Sequence, residues 1–208
     1  MILIGQYDSP FVRRVGIALT VYGLPFEHRP WSAFGDAERL RELNPLTRVP
    51  TLVLDDGEVL IESEAILDYL DGLVPAETAL YPHVEPARRR ARTVAALACG
   101  LGDKAVSLFY ETRLHREVSE VWAGRCRGQI AATLAVLEAD RAGRSSAYWF
   151  GERLGHADIA VAAVLRLLGE AHPGLVALGD YPALAAHSAR CEALPVFEAV
   201  SQRLIAPA

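Results

Sequence analysis

The sequence predicts an α/β N-terminal half followed by an all-helical C-terminal half. Three observations carry this prediction. Short apolar runs alternate with helical periodicity over roughly the first eighty residues, strand signals stop after Pro75, and from Pro86 onward the apolar spacing is helical throughout. The chain has 208 residues, 51% hydrophobic and 23% charged, which is enough apolar material for a large core in a soluble protein.

Ile2-Leu3-Ile4 reads as a buried strand. Ser9-Pro10 opens a helix, with serine as N-cap and proline at the first helical position, where its missing N–H has no intrahelical partner to lose. Phe11, Val15, Ala18, Leu19 and Tyr22 fall on one stripe of that helix, and Gly23 ends it as a left-handed cap. Phe26-Glu27-His28 is a short second strand. After a loop holding Trp31, a polar helix is expected from Asp36 to Leu43. Thr51–Leu54 and Glu58–Ile61 flank Asp55-Asp56-Gly57, a hairpin signal because glycine takes the positive φ of a tight turn. Ser63 then caps a helix whose buried face is Ile66, Leu67, Leu70 and Leu73. The order β-α-β-α-β-β-α implies one mixed sheet, with a parallel first β-α-β pair and an antiparallel hairpin.

Pro82 and Pro86 bracket a linker, so the expected divisions are a domain over 1–79, a linker over 80–85 and a helical domain over 86–208. Helices are expected at 87–115, 117–142, 156–171 and 182–192, with a short one from 195; Pro173-Gly174, Pro182 and Pro195 punctuate them. Ile159–Leu168 is apolar on nearly every face, the pattern of an enclosed bundle helix.

Composition excludes several functions. The 21 Lys and Arg against 26 Asp and Glu leave a net charge of −5, which disfavours a nucleic-acid partner. Arg88-Arg89-Arg90-Ala91-Arg92 is the only dense basic run, and on a helix it spreads over more than one face as a solvated surface. Cys99, Cys126 and Cys191 are too few and scattered for a disulfide framework, and reduced thiols suit the cytoplasm. The N-terminus shows no targeting leader, and no apolar run is long enough for a membrane span. The histidines show no metal spacing, and neither a Gly-rich phosphate loop nor a G-x-S-x-G elbow occurs, so no metal is expected.

Ser9-Pro10-Phe11-Val12-Arg13-Arg14, Asn44-Pro45-Leu46-Thr47-Arg48-Val49-Pro50-Thr51-Leu52, Glu62-Ser63 and Gly155-His156-Ala157-Asp158-Ile159-Ala160 stand in this order over nearly the whole chain. Together they resemble the cytosolic glutathione S-transferase family, in particular bacterial members with a serine in an N-terminal Ser-Pro-Phe motif. The resemblance implies a thioredoxin-like glutathione-binding domain followed by a helical domain that contributes the acceptor-substrate pocket.

On the residues alone, Pro50 is a strand-opening proline, and X-Pro bonds are mostly trans. The resemblance implies a cis Val49–Pro50 bond that turns the Val49 backbone outward to pair with a peptide ligand, as an added strand does. Glu62-Ser63 is by itself an ordinary helix start. In the family the matching acid and hydroxyl, with the helix amides, hold the γ-glutamyl end of glutathione, and a helix N-terminus does accept a carboxylate. Ser9 caps its helix in either reading. Beside a bound thiol its hydroxyl also donates to the thiolate. Lowering a thiol pKa of about 8.5 by two units takes roughly 2.7 kcal/mol, within reach of one charge-assisted hydrogen bond plus a helix terminus. Tyr7 is the rival catalytic hydroxyl, because some branches of the family use a tyrosine near the end of the first strand. Trp31 and Arg48 are secondary glutathione ligands, with Arg39 and Arg41 as alternatives to Arg48 for the glycyl carboxylate. Phe11, Phe109 and Tyr110 are candidates for the acceptor pocket.

The implied activity is that of a glutathione S-transferase-like enzyme, with glutathione as co-substrate. Its thiolate attacks a small electrophile, as in detoxification, within a cytoplasmic homodimer. A glutathione-dependent isomerase or dehalogenase on the same site is the alternative within enzymes. A non-catalytic binding or regulatory protein that kept the fold is the alternative outside them. Two positions depart from the family pattern: Cys99 stands where several bacterial relatives have Asp, and Gly155 where Ser or Thr is usual. Gly155 removes the side-chain half of a capping box, while Asp158 can still reach back to the Gly155 N–H.

Overall fold

The computed structural model describes residues 1–206. It forms two compact units. Among the described residues, one is Met1–His83 together with residues 194–206, and the other is Val84–Ala193.

In the first unit, β1 (Ile2–Ile4), α1 (Pro10–Val21), β2 (Glu27–Arg29), α2 (Ala37–Leu43), β3 (Thr51–Val53), β4 (Val59–Ile61) and α3 (Ser63–Gly72) follow one another. The four strands make one mixed sheet in the order β2-β1-β3-β4. β1 pairs parallel with β2 and antiparallel with β3, and β3–β4 is the antiparallel hairpin. This is the thioredoxin-like arrangement expected. Gly23 and Gly57 adopt the positive φ their turns demand, 64° and 91°. Leu24 N–H reaches Leu19 O and Gly23 N–H reaches Thr20 O, the paired bonds of a Schellman end.

Burial departs from the expected stripes in two places. α1 is buried from Val12 to Leu19, charged Arg13 and Arg14 included, rather than along one face. On α3, Ile66, Leu67 and Leu70 are buried, but Leu73 is 47% exposed because it lies beyond the last helical turn that meets the core. The residue capping α3 is Glu62, and Ser63 is the first helical residue rather than the cap.

The short helix α8 (Pro195–Ala199) packs against α1 and belongs with the first unit, not with the helical half to which the 86–208 division assigned it. The reason is Arg13. Its guanidinium, 1% exposed, donates to Val200 O at 2.8 Å and to Phe197 O at 2.9 Å, and lies over the Phe197 ring. A buried cation finds partners in backbone carbonyls that only the returning tail supplies. Further along, Ile205 N–H donates to Asp8 Oδ2 at 3.0 Å.

The second unit consists of α4 (Ala87–Leu114), α5 (Glu120–Ala142), α6 (His156–Ala171) and α7 (Pro182–Glu192). α4 packs on α5 and α6, and α7 on α5 and α6. Within the run Ile159–Leu168 of α6 every residue but Arg166 is buried, so this is the enclosed helix. α5 starts at Glu120, three residues later than expected. Ser119 Oγ accepts from Trp122 N–H, while Ser119 N–H donates to the buried Glu111 carboxylate at 2.7 Å, and together these fix the turn. Among the described residues no helix is long and apolar enough to cross a membrane.

Candidate functional site

The sheet register places the candidate segments together. Ile4 faces Arg29 of β2 and Thr51 of β3, and Thr51 faces Ile61 of β4. The chain leaving β1 toward Ser9, the chain leaving β2 toward Trp31, the approach to β3 through Arg48-Val49-Pro50, and the exit from β4 at Glu62-Ser63 therefore share one end of the sheet. Gly5 makes the close approach possible. At its φ of 129° a Cβ would lie 2.8 Å from Val49 Cβ and 2.5 Å from Val12 Cγ2.

The Val49–Pro50 peptide bond is cis. Buried Asn44 organises the approach to it. Its Nδ2 donates to Arg48 O at 3.0 Å and to Thr51 Oγ1 at 3.2 Å, its Oδ1 accepts from Leu46 N–H, and Thr51 Oγ1 donates to Arg48 O as well. A peptide plane carries its C=O and N–H on opposite sides, so pinning the Arg48 carbonyl inward turns the Val49 N–H outward. Among the described residues, neither the Val49 N–H nor its C=O has a backbone partner. Val49 is half-buried, whereas Pro50 is buried.

Glu62 enters α3 with φ 66° and ψ 124°, a conformation uncommon outside glycine and costly by about 1–3 kcal/mol. The Glu62 side chain does not cap this helix, and the amides of its first turn, at residues 63 to 65, have no intrahelical acceptors. Glu62 Oε1 pairs with Arg48 Nη1 at 3.1 Å, both side chains about half exposed, which brings the two candidates on either side of the hairpin opening into contact. Ser63 is buried, and its hydroxyl accepts from Arg14 Nη1 at 3.3 Å. Arg14 Nη2 lies 3.4 Å from Glu64 Oε2 and from the Tyr81 hydroxyl, which itself donates to Glu64 at 3.1 Å. Burial pushes the Tyr81 phenol up, so it stays protonated and serves as a donor.

Ser9 caps α1 from extended backbone, and its Oγ accepts from Val12 N–H at a long 3.4 Å. The hydroxyl proton is then available to a second partner at the helix N-terminus. Tyr7 goes elsewhere. Its ring stacks on His28 at 3.9 Å, and a Cβ on Gly16 would meet its Cε1 at 2.7 Å. Gly16 lies seven residues beyond Ser9, about 10 Å along a helix, so the two hydroxyls are not brought together. Burial also raises the Tyr7 pKa.

Trp31 is half-buried at the shared end of the sheet, with the Arg29 guanidinium 6.0 Å from its ring centre. Arg39 and Arg41 are exposed on α2, and Arg39 sits 3.8 Å from Asp36. Of the acceptor-pocket candidates, Phe11 is half-buried in the first unit. Phe109 and Tyr110 belong to the second, where Phe109 is buried with its ring edge-on to His172. A cavity of about 340 Å³ in the second unit opens between Leu108 and Thr112 of α4, Arg127 of α5 and the chain from His172 to Leu175; neither Phe109 nor Tyr110 lines it. Cys126 is a fully buried small filler, and Cys99 is half-buried on α4. Among the described residues no cluster of three or more His, Cys, Asp or Glu is placed to hold a metal ion.

Sequence reading missed three contributors. Asn44 and Arg14 stand within motifs that assign them no role, and Gly5 within a strand end that assigns it none. A polar residue expected at a helix end and a glycine ending a strand carry no local mark of what they will touch.

Residues 3–78 match the family model for the glutathione S-transferase N-terminal domain, and residues 120–190 that for the C-terminal domain. The chain is 34% identical over 170 residues to the maleylacetoacetate isomerase of Pseudomonas aeruginosa, covering 76% of this chain and 77% of that one. It is also 34% identical over 139 residues to the GST-like protein YibF of Escherichia coli, covering 66% and 68%. Among solved structures, a glutathione S-transferase from Methylobacterium radiotolerans in complex with glutathione sulfonate superposes with a TM-score of 0.89 at 30% identity, over 100% of this chain and 98% of that one. A glutathione transferase family member from Pseudomonas fluorescens with bound glutathione gives 0.84 at 32%, over 98% and 99%. With both domain models matched in chain order, and relatives of this identity spanning most of its length, the chain belongs to the glutathione S-transferase family.

Proposed function

We propose that this chain binds glutathione at the shared end of its sheet and holds the thiol as a thiolate for attack on a small electrophile. The observation that supports this most is the convergence of three donor sets in one unit: the outward Val49 backbone, the uncapped start of α3 with the Ser63 hydroxyl, and Ser9 at the start of α1. A γ-glutamyl tripeptide has matching parts: a central backbone unit, a terminal carboxylate beside an ammonium, and a thiol between them. In this reading Val49 pairs with the cysteinyl unit, the Pro50 turn holds that strand edge, and Ser63 and the α3 amides donate to the γ-glutamyl carboxylate. Glu62 receives the ammonium. Arg48, next to Glu62, is placed for the glycyl carboxylate, and Trp31 walls the same end. Ser9 donates to the sulfur and is preferred over Tyr7, whose ring lies two helical turns away. Phe11 in the first unit, and separately Phe109 and Tyr110 in the second, are the candidates for apolar contact with the acceptor, and the working form is a cytoplasmic homodimer. Holding thiolate and electrophile together supplies proximity.

The 34% identity to a maleylacetoacetate isomerase favours a second reading on the same residues. A thiolate that adds to a conjugated cis double bond leaves a single bond free to rotate, and its expulsion returns glutathione unchanged. Consumption of glutathione in step with product marks transfer; turnover without consumption marks isomerisation.

Calorimetric titration with millimolar glutathione tests the site, and absence of heat on folded protein overturns it. Thiolate absorbance of the bound peptide against pH tests the mechanism. Ser9→Ala is expected to raise the bound thiol pKa by at least one unit, the scale of one hydrogen bond to a charged group. Tyr7→Phe is expected to leave it within a few tenths.

A further inference from the structure

We propose that the ion pair between Arg48 and Glu62 makes this end of the sheet select whole glutathione over either of its halves. The proposal rests on reading this end of the sheet as a glutathione site.

The two side chains hold each other across the hairpin opening, Arg48 Nη1 lying 3.1 Å from Glu62 Oε1. In the glutathione reading they serve opposite ends of the ligand: Glu62 meets the γ-glutamyl ammonium and Arg48 the glycyl carboxylate. An extended tripeptide separates those ends by about 10 Å. One guanidinium cannot reach Glu62 and the far end of such a ligand together, so the pair opens when the glycyl end binds. At the near end, the arriving ammonium brings a second cation to the same carboxylate and repels the guanidinium already there. Either end of the ligand therefore opens the same pair.

The local structure suits such an exchange. Arg48 O accepts from Asn44 Nδ2 and Thr51 Oγ1, and Glu62 O accepts from Ile66 N–H at 3.0 Å. Opening the pair thus turns two side chains about backbone that stays in place. The side chains are 53% and 52% exposed, so a charge left behind is taken up by water, and the pair contributes what exposed pairs contribute.

The balance differs between ligands. Glutathione exchanges one ion pair for two. A ligand with only one charged end exchanges one for one and leaves the second partner in water. The cost of opening is thus offset by two gains in the whole peptide and by one in a half. A consequence of unusual sign follows: neutralising the partner that a half-ligand does not use removes an opponent, and that half-ligand binds more tightly.

The test uses glutathione, γ-glutamylcysteine amide, which keeps the ammonium end, and N-acetylcysteinylglycine, which keeps the glycyl end. The proteins are the wild type, Arg48→Gln and Glu62→Gln. Glutathione is titrated by calorimetry and the halves by displacement of bound glutathione, so that weak binding still registers. Arg48→Gln is expected to bind γ-glutamylcysteine amide about two- to fivefold more tightly than the wild type does, the range of an exposed ion pair, and glutathione about fivefold more weakly. Glu62→Gln is expected to bind N-acetylcysteinylglycine about two- to fivefold more tightly and glutathione about tenfold more weakly. Both gains should shrink in about 1 M salt, where screening acts within roughly 3 Å. Half-ligands bound no more tightly by the variants than by the wild type overturn the role of the pair while leaving the site intact. A wild type that binds none of the three ligands overturns the site reading itself.

Discussion

Two helix starts in this molecule handle the same problem in opposite ways. α3 begins at Glu62, whose φ of 66° is held against its preference, and the Glu62 side chain makes no capping hydrogen bond. α6 begins at Gly155 in relaxed extended backbone, and Asp158 closes it: Oδ2 accepts from Gly155 N–H at 2.8 Å and Oδ1 from Trp149 N–H at 2.7 Å. Behind α6 stands His187, 3.6 Å from Asp158, edge-on to Trp149. Behind α3 stands Arg14, reaching Ser63. A helix end that brings its own carboxylate spends its donors on stability. At α3 the first-turn carboxylate, Glu64, turns instead to Arg14 and Tyr81, and no bond from the Glu62 side chain caps the helix.

The comparison breaks most sharply at Asp158. Asp158→Ala leaves the buried Trp149 N–H and the half-buried Gly155 N–H without acceptors and is expected to lower unfolding free energy by about 3 kcal/mol in a denaturant titration. Glutathione affinity of the folded fraction should stay within twofold. Ser63→Ala should do the reverse. Losing a hydrogen bond to a charged ligand weakens glutathione binding by about 10- to 100-fold, while stability changes by about 1 kcal/mol or less. If both substitutions act on stability alone, the distinction between the two ends is lost.

The α6 end also predicts a pH signature. Burial pushes Asp158 up to about 6 and holds His187 down to about 4. Between those values the native pair holds one proton, on the carboxyl, and the unfolded pair also holds one, on the imidazole, so their contributions to the slope cancel. His187→Gln removes the compensation. The native state then binds more protons than the unfolded, and stability falls as pH rises from about 4 to about 6. Asp158→Asn does the opposite. The unfolded histidine takes a proton that the buried one refuses, so stability rises with pH up to about 6.5. Either slope amounts to about 1.4 kcal/mol per pH unit at most, and denaturant midpoints across pH 4–7 would read it. Equal, flat profiles in both variants would remove this account.

Gly155→Ser is the smallest test. A serine restores the missing half of the box to the Asp158 N–H and should add a few tenths of a kcal/mol, with no effect on ligand binding.

Local chemistry made most of the elements legible. Ser9-Pro10 starting α1, Gly23 ending it, Asp55-Asp56-Gly57 turning the hairpin and the unbroken apolar run of α6 each act within a few residues, so spacing alone locates them. Asp158 reaching back to Gly155 was legible for the same reason, being three residues away. Candidates at opposite ends of a hairpin, such as Arg48 and Glu62, were legible as motifs but not as an ion pair.

What the sequence by itself determined, then, is the kind and order of the elements, because propensity, capping and turn chemistry are short-range. Tertiary structure alone decided the rest. It buried Arg13 under a tail nearly two hundred residues away, set Arg14 against Ser63, carried Tyr7 to Gly16 and left Leu73 in water. In each case the outcome depends on which surface arrives opposite a side chain, and a guanidinium or phenol suits solvent or core equally well until its partners are in place.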